Sequence, residues 1–136
     1  MKQTLITGAA GFIGYHLAKH LLETTDDRLT LVDNLWRGKF DEDFQQLLLH
    51  PQRVSFVRLD LSDQTAYASL PQNLFDRIYH LAATNGTKYF YERPYDLMRQ
   101  DTLMNIFLLD WVASQEKKSK LLYTSTCETY AGVQES

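Results

Sequence analysis

The sequence predicts an α/β fold, a doubly wound parallel sheet of five strands in the order 3-2-1-4-5. Three observations predict it. Short apolar runs alternate with stretches of helical spacing along the whole chain. The connections between successive runs are helical or long, as right-handed crossovers between parallel strands require. The first run ends in a glycine cluster that opens the first helix, at the carboxyl ends of the strands, where such sheets bind ligands.

The elements follow in order. "KQTLIT" (2 to 7) is a short apolar strand, and "GFIGYHLAKHLLE" (11 to 23) is a helix with Ile13, Leu17, His20 and Leu21 at helical spacing. "RLTLVD" (28 to 33) is the second strand. A polar loop with Trp36, Arg37 and Gly38 leads to "DEDFQQLLLH", whose acidic start suits a short helix closed by Pro51. "RVSFVRL" (53 to 59) is the third strand, and Ser62 is the expected cap of a helical turn in "SDQTAYASL" before Pro71. "FDRIYHLAA" (75 to 83) is the fourth strand; "KYFYERPY" (88 to 95) reads as a loop beside the cleft, leading into the next helix. Pro94 opens that long helix, to about Ser114, with Leu97, Met104, Phe107, Leu108 and Trp111 on its apolar side. "SKLLYTST" (119 to 126) is the fifth strand.

The 136 residues are 44% apolar and 12% aromatic, enough to bury the core of one domain, residues 1-136. A net charge of -3, with Lys and Arg scattered, supplies no basic stripe to track a phosphate backbone, so nucleic acid is not an expected partner. No apolar stretch reaches the roughly eighteen residues of a membrane helix and no signal-peptide layout is present, so the expected location is cytoplasmic, with no membrane partner. The single cysteine, Cys127, excludes an internal disulfide and a multi-cysteine metal site. His16 and His20 stand at i and i+4, but no third ligand accompanies them, and no metal is expected.

The five strands bring Thr7-Gly8, Asp33, Asp60, His80 to Ala83 and Ser125-Thr126 to one rim. Gly8-x-x-Gly11-x-x-Gly14 follows a strand and opens a helix, the context in which a glycine pattern reads as a phosphate cradle. Gly8 permits the tight turn, Gly11 the approach of a pyrophosphate, and Gly14 close packing of helix on sheet. Three glycines in a turn can also serve packing alone. Asp33 favours the ligand reading: it ends the second strand nineteen residues after Gly14, near the spacing at which a carboxylate accepts from ribose hydroxyls.

"TGAAGFIG", "VDN", "LDLSD", "HLAA" and "YTSTCETYAG", in this order and over the whole chain, resemble the extended short-chain dehydrogenase/reductases, specifically the NAD-dependent nucleotide-sugar epimerase/dehydratase family. The resemblance implies a Rossmann-type domain that binds NAD with Gly8, Ala10, Gly11, Phe12, Ile13 and Gly14 under the pyrophosphate. It puts Asp33 on the ribose, with Asn34 beside it in the same motif, and Asp60 and Leu61 at the adenine ring. His80, Leu81, Ala82 and Ala83 resemble the segment beneath the pyrophosphate and the nicotinamide ribose. Ser125 and Thr126 match the end of strand five, where the family keeps a hydroxyl for the reacting oxygen of the sugar; Ser125 is grouped with the cofactor site and Thr126 with the catalytic one.

In that family a tyrosinate takes the proton of a sugar hydroxyl while the carbon gives a hydride to NAD, and a lysine lowers the pKa of the tyrosine. Tyr15-x-x-x-Lys19 has the spacing of this pair but lies on the first helix, where it reads as an i, i+4 surface pair. Tyr130 has Gln134 four residues later, and no lysine follows Lys120. The expectation is therefore the NAD-binding part of a longer enzyme, ending before the last strands and the substrate lobe and inactive alone. The alternatives are a free-standing NAD-binding or redox-sensing module and a scaffold on a retained fold. In the intact protein the implied partners are a nucleotide sugar and a second copy, paired through the 94-114 helix.

Two departures from the family pattern stand out. The long helix has Asp101 where the family carries an Asn, and Met104-Asn105 where it carries a Gly-Thr step. Cys127-Glu128 replaces the Asp-Glu of hexose 4,6-dehydratases, which leaves Glu128 as a candidate acid or base for other branches, or as a solvated loop residue.

Overall fold

A computed structural model describes residues 1–84, 86–127 and 129–130. Five parallel strands, β1 (Gln3–Thr7), β2 (Arg28–Asp33), β3 (Val54–Arg58), β4 (Arg77–His80) and β5 (Lys120–Tyr123), form one sheet in the order β3-β2-β1-β4-β5. Helices α1 (Phe12–Thr24), α2 (Glu42–Leu47), α3 (Thr87–Glu92) and α4 (Pro94–Ser114) and a 3₁₀ helix (Gln64–Ser69) connect them. The order reverses between β1 and β4. Register sets Val57, Val32, Thr7, His80 and Tyr123 in one row at the carboxyl edge, so the residues that follow form the expected rim.

Successive side chains of a strand face opposite sides of the sheet, which divides the core in two. Leu5 and Val32 join Tyr67, Phe75, Leu108 and Trp111 beneath α4. Ile6 and Leu31 join Ala18, Leu21 and Phe44 beneath α1 and α2. Away from the rim, Asp27 is buried and accepts from the Lys2 N–H at 3.1 Å and from Arg77 at 3.4 Å. The carbonyls near the end of α1 receive the Arg53 guanidinium, at 3.0 Å for Leu22.

Four local expectations need correction. The buried face of α1 is Gly14, Ala18 and Leu21, not the stripe through Ile13 and His20, because the close approach at Gly14 rotates the helix and leaves Ile13 65% exposed. Ser62 does not cap the 3₁₀ helix: its N–H and hydroxyl donate to Asp60 at 2.9 and 2.7 Å, and Asp63 is the cap, accepting from the N–H of Thr65. Residues 88 to 92 are helical, not a loop; α3 ends at Arg93 because a residue before proline is driven out of helical geometry, and Pro94 then opens α4. β4 and β5 are shorter than 75–83 and 119–126: beyond His80 the Leu81 N–H is shared between the Thr7 carbonyl, at 3.3 Å, and the Thr7 hydroxyl, at 3.2 Å, and the Ala82 N–H turns to that hydroxyl, at 3.2 Å.

Candidate dinucleotide site

At the point where the strand order reverses lies a cleft of about 950 Å³, within the range of small-molecule sites. The glycine loop forms its floor, and each glycine has its own reason. Gly8 has φ +68°, and a Cβ there would lie 2.8 Å from the nitrogen of Ala82, so the turn and the loop after β4 meet backbone to backbone. A Cβ on Gly14 would lie 2.7 Å from the Cα of Ala9, which leaves no room for a side chain between helix and turn. A Cβ on Gly11 would meet only the Gly8 carbonyl oxygen, at 3.2 Å, and Gly11 lines the cleft. Its open side is therefore available to a ligand.

No side chain caps α1, and its first turn holds no acidic residue, so its first N–H groups are left to a ligand. That is the arrangement of an anion site. Phe12 and Ile13, 81% and 65% exposed, flank it.

Asp33 stands at the end of β2, with one carboxylate oxygen accepting from the N–H of Ala10 at 3.0 Å and the other from the N–H of Leu35 at 2.7 Å. These bonds tie β2 to the glycine loop. The site contains residues that the sequence reading treated only as loop or core: Gly38 packs so closely that a Cβ would lie 2.8 Å from Asp33 Oδ1, and the Lys39 N–H reaches the Ala10 carbonyl at 3.3 Å. The available signal was a glycine in a polar loop directly behind Asp33. Trp36 lines the cleft and packs against Tyr89 of α3, with ring centroids 4.9 Å apart. Gln100 and Met104 reach the cleft from α4; nothing in the sequence points to Gln100, whereas Met104 stands at the departure from the family pattern noted above.

Asn34, Asp60, Leu61, Leu81, Ala82 and Ala83 line the same cleft, together with Ala10 and the glycine loop. Asp60 is exposed and held by Ser62, while Leu61 is buried and its carbonyl accepts from the Tyr67 hydroxyl at 3.1 Å. His80 lies below the cleft, 1% exposed, with Nδ1 2.7 Å from Thr7 Oγ1 and Nε2 2.9 Å from Asn105 Oδ1. Burial holds its pKa below the usual histidine value, against the opposing pull of Asn105 and Asp101. Ser125 and Thr126 follow β5 at the same edge, both exposed, and Thr126 accepts at its carbonyl from the Thr129 hydroxyl at 2.9 Å. Glu128 lies outside the described residues.

Tyr15 is half-buried against the core beneath α1 and Lys19 is exposed, both on the flank of the cleft. Among the described residues, no group of three His, Cys, Asp or Glu side chains could hold a metal ion, and no helix is long and apolar enough to cross a membrane.

The comparisons with known proteins agree with this geometry. Among the curated relatives, the chain is 36% identical to a probable UDP-arabinose 4-epimerase 3 of Oryza sativa subsp. japonica, over 93% of this chain and 31% of the relative. It is 33% identical to a UDP-N-acetyl-alpha-D-glucosaminuronate decarboxylase of Bacillus cytotoxicus, over 95% of this chain and 38% of that protein. The chain thus spans about a third of the length of such relatives. Among solved structures, the UDP-Glc/GlcNAc 4-epimerase of Campylobacter jejuni superposes with a TM-score of 0.82 at 27% identity, covering 96% of this chain and 39% of that one. The Bordetella bronchiseptica enzyme WbmF in complex with NAD+ superposes with a TM-score of 0.78 at 27% identity, over 93% of this chain and 37% of that one. The family model described as "NAD dependent epimerase/dehydratase family" matches residues 4–136. A reversed strand order, an open glycine cradle and an acidic residue at the end of β2 are thus joined by a match over nearly the whole sequence, and the chain belongs to the NAD-dependent epimerase/dehydratase family.

Proposed function

We propose that this chain is the NAD-binding portion of a nucleotide-sugar epimerase/dehydratase, inactive alone. The observation that carries the reading is the cradle: Gly11 is open to the cleft beneath an uncapped helix start, with Asp33 fixed at its side. The first turn of α1 holds the pyrophosphate through its N–H groups, and Asp33 accepts from the ribose hydroxyls. Asn34 completes the ribose side, Asp60 and Leu61 bound the adenine end, and Leu81 to Ala83 with Ser125 bound the nicotinamide end. Bound NAD supplies a hydride acceptor. Thr126 orients the sugar hydroxyl, and Glu128 serves as acid or base. The proton acceptor of the reaction is not Tyr15, which packs from the first helix against the core on the far side of the sheet from α4.

The names of the relatives favour a UDP-linked sugar and either epimerisation or decarboxylation as the net reaction of the whole protein. Tyr95, Met98, Ile106 and Leu109 are exposed on α4 and support pairing of two copies through that helix. The exposed single cysteine, Cys127, fits a reducing compartment and supports a cytoplasmic setting.

Asp33 makes NAD, not NADP, the expected cofactor. Two unit negative charges about 4 Å apart at an effective dielectric of about 20 repel by roughly 4 kcal/mol. Calorimetric titration of both dinucleotides tests this: NAD binds more tightly, and Asp33→Asn narrows the gap. Tighter binding of NADP contradicts the assignment.

A further inference from the structure

The Thr7 hydroxyl sits at the centre of a network whose protons can be counted. A threonine hydroxyl has one hydrogen to give and two lone pairs to accept with. The Ala82 N–H reaches the hydroxyl oxygen at 3.2 Å, and the Leu81 N–H is shared between that oxygen, at 3.2 Å, and the Thr7 carbonyl, at 3.3 Å. Asn105 Oδ1, which can only accept, lies 2.9 Å from His80 Nε2, so the ring proton resides there. Nδ1 of the neutral ring then carries a lone pair, and the Thr7 hydroxyl donates to it at 2.7 Å. Thr7 is fully buried and His80 nearly so, which makes an unmatched group costly at either position.

This network ends at the cleft. Leu81 and Ala82 line it, and Ala82 meets Gly8 backbone to backbone. One turn before Asn105 on α4, Asp101 accepts the N–H of Thr84 at 2.7 Å, so α4 grips the same loop a second time. The titratable groups facing His80 are Asp101 from α4 and Tyr123 from β5, whose ring centroid lies 5.7 Å from that of the histidine.

We infer that Asn105 is a positioning residue for the dinucleotide cleft: it fixes the His80 tautomer, which orients Thr7 and through it the Leu81–Ala82 backbone. The inference rests on the reading of this cleft as an NAD site. Protonation of His80 would aim an Nδ1–H at the Thr7 hydroxyl, in competition with the Leu81 and Ala82 N–H groups for its lone pairs, and would weaken the anchor of the loop.

Two variants test it, with ¹⁵N NMR of the imidazole in the free protein and NAD titration as separate readouts. The wild type shows neutral His80 with its proton on Nε2 at pH 7. Asn105→Leu removes the acceptor; the tautomers mix and NAD affinity falls by about tenfold. Asn105→Asp keeps an acceptor and adds a charge that favours the imidazolium. It binds NAD like the wild type at pH 8 but more weakly at pH 6, with His80 protonated. If Asn105→Leu fails to fold, the Asp variant decides alone. Wild-type NAD binding with both variants unchanged in tautomer, titration and affinity overturns the role of Asn105. A wild type that binds no NAD overturns the cofactor reading, and the inference with it.

Discussion

A buried histidine with both ring nitrogens engaged resists protonation, and the fold carries the consequence. In the unfolded chain His80 takes up a proton as pH falls below about 6.5, while burial keeps the folded form neutral to lower pH. The stability associated with neutral His80 is present above about pH 6.5 and is lost as pH falls toward the lowered native value, at up to about 1.4 kcal/mol per pH unit. Asp63 and Asp76 are held below their ordinary value of 3.8, the first by Thr65, the second mainly by the Gln3 N–H and Lys117. Stability tied to these two carboxylates is lost only below about pH 4. Urea melts should therefore show midpoints falling between pH 6.5 and pH 5, well above that carboxylate range; midpoints flat across this interval contradict the burial of a neutral His80. The histidine itself was legible in "HLAA", but its partners were not. Thr7 lies on a neighbouring strand and Asn105 on a distant helix, and only the register of the sheet brings them together.

Helix α4 illustrates which features of an element a sequence carries. Pro94 marks its start, and the spacing of Met104, Leu108 and Trp111 identifies the buried face, as the structure has it. Leu108 is fully buried between the sheet and α4, so Leu108→Ala should cost about 2–5 kcal/mol, read as a lower urea midpoint at unchanged slope. A loss below about 1 kcal/mol would mean that this helix is not docked as described. Helix α1 was harder to read because its contact residue is a glycine: Gly14 buries no side chain, so periodicity pointed to Ile13 and Leu17, while steric exclusion at Gly14 set the face. Short elements at the rim are hard to bound from the sequence because side-chain oxygens of Thr7, Asp60 and Asp63 accept backbone N–H groups there, a competition that periodicity does not show.

At the scale of the whole molecule, the cleft lies where the order of the strands reverses. Strand order and rim were readable because five apolar runs with long connections admit few topologies. The glycine pattern and Asp33 are readable because they follow β1 and end β2, and the structure brings them to one cleft. Gly38, Trp36 and Gln100 are not legible as site residues because loop closure and helix placement, not local pattern, bring them to the cleft. On the proposal made above, the purified chain, given NAD and UDP-, GDP- and TDP-linked sugars, should form no product. Positioned proton transfer is typically worth about a hundred- to ten-thousand-fold in rate. Turnover by this chain, surviving Tyr15→Phe and lost in Thr126→Ala, would reveal a different proton acceptor.

The central claim is that the glycine loop exists to admit a dinucleotide, and Gly11 tests it most directly. Its backbone is extended, at φ -80° and ψ 169°, and a Cβ there meets only one carbonyl oxygen, so valine can be accommodated without unfolding the chain. Calorimetric titration of NAD into the wild type and into Gly11→Val, with circular dichroism on both, is the measurement. The account predicts saturable binding to the wild type and none to a variant with the same spectrum; equal affinity in the two, or no binding to the wild type, would contradict it.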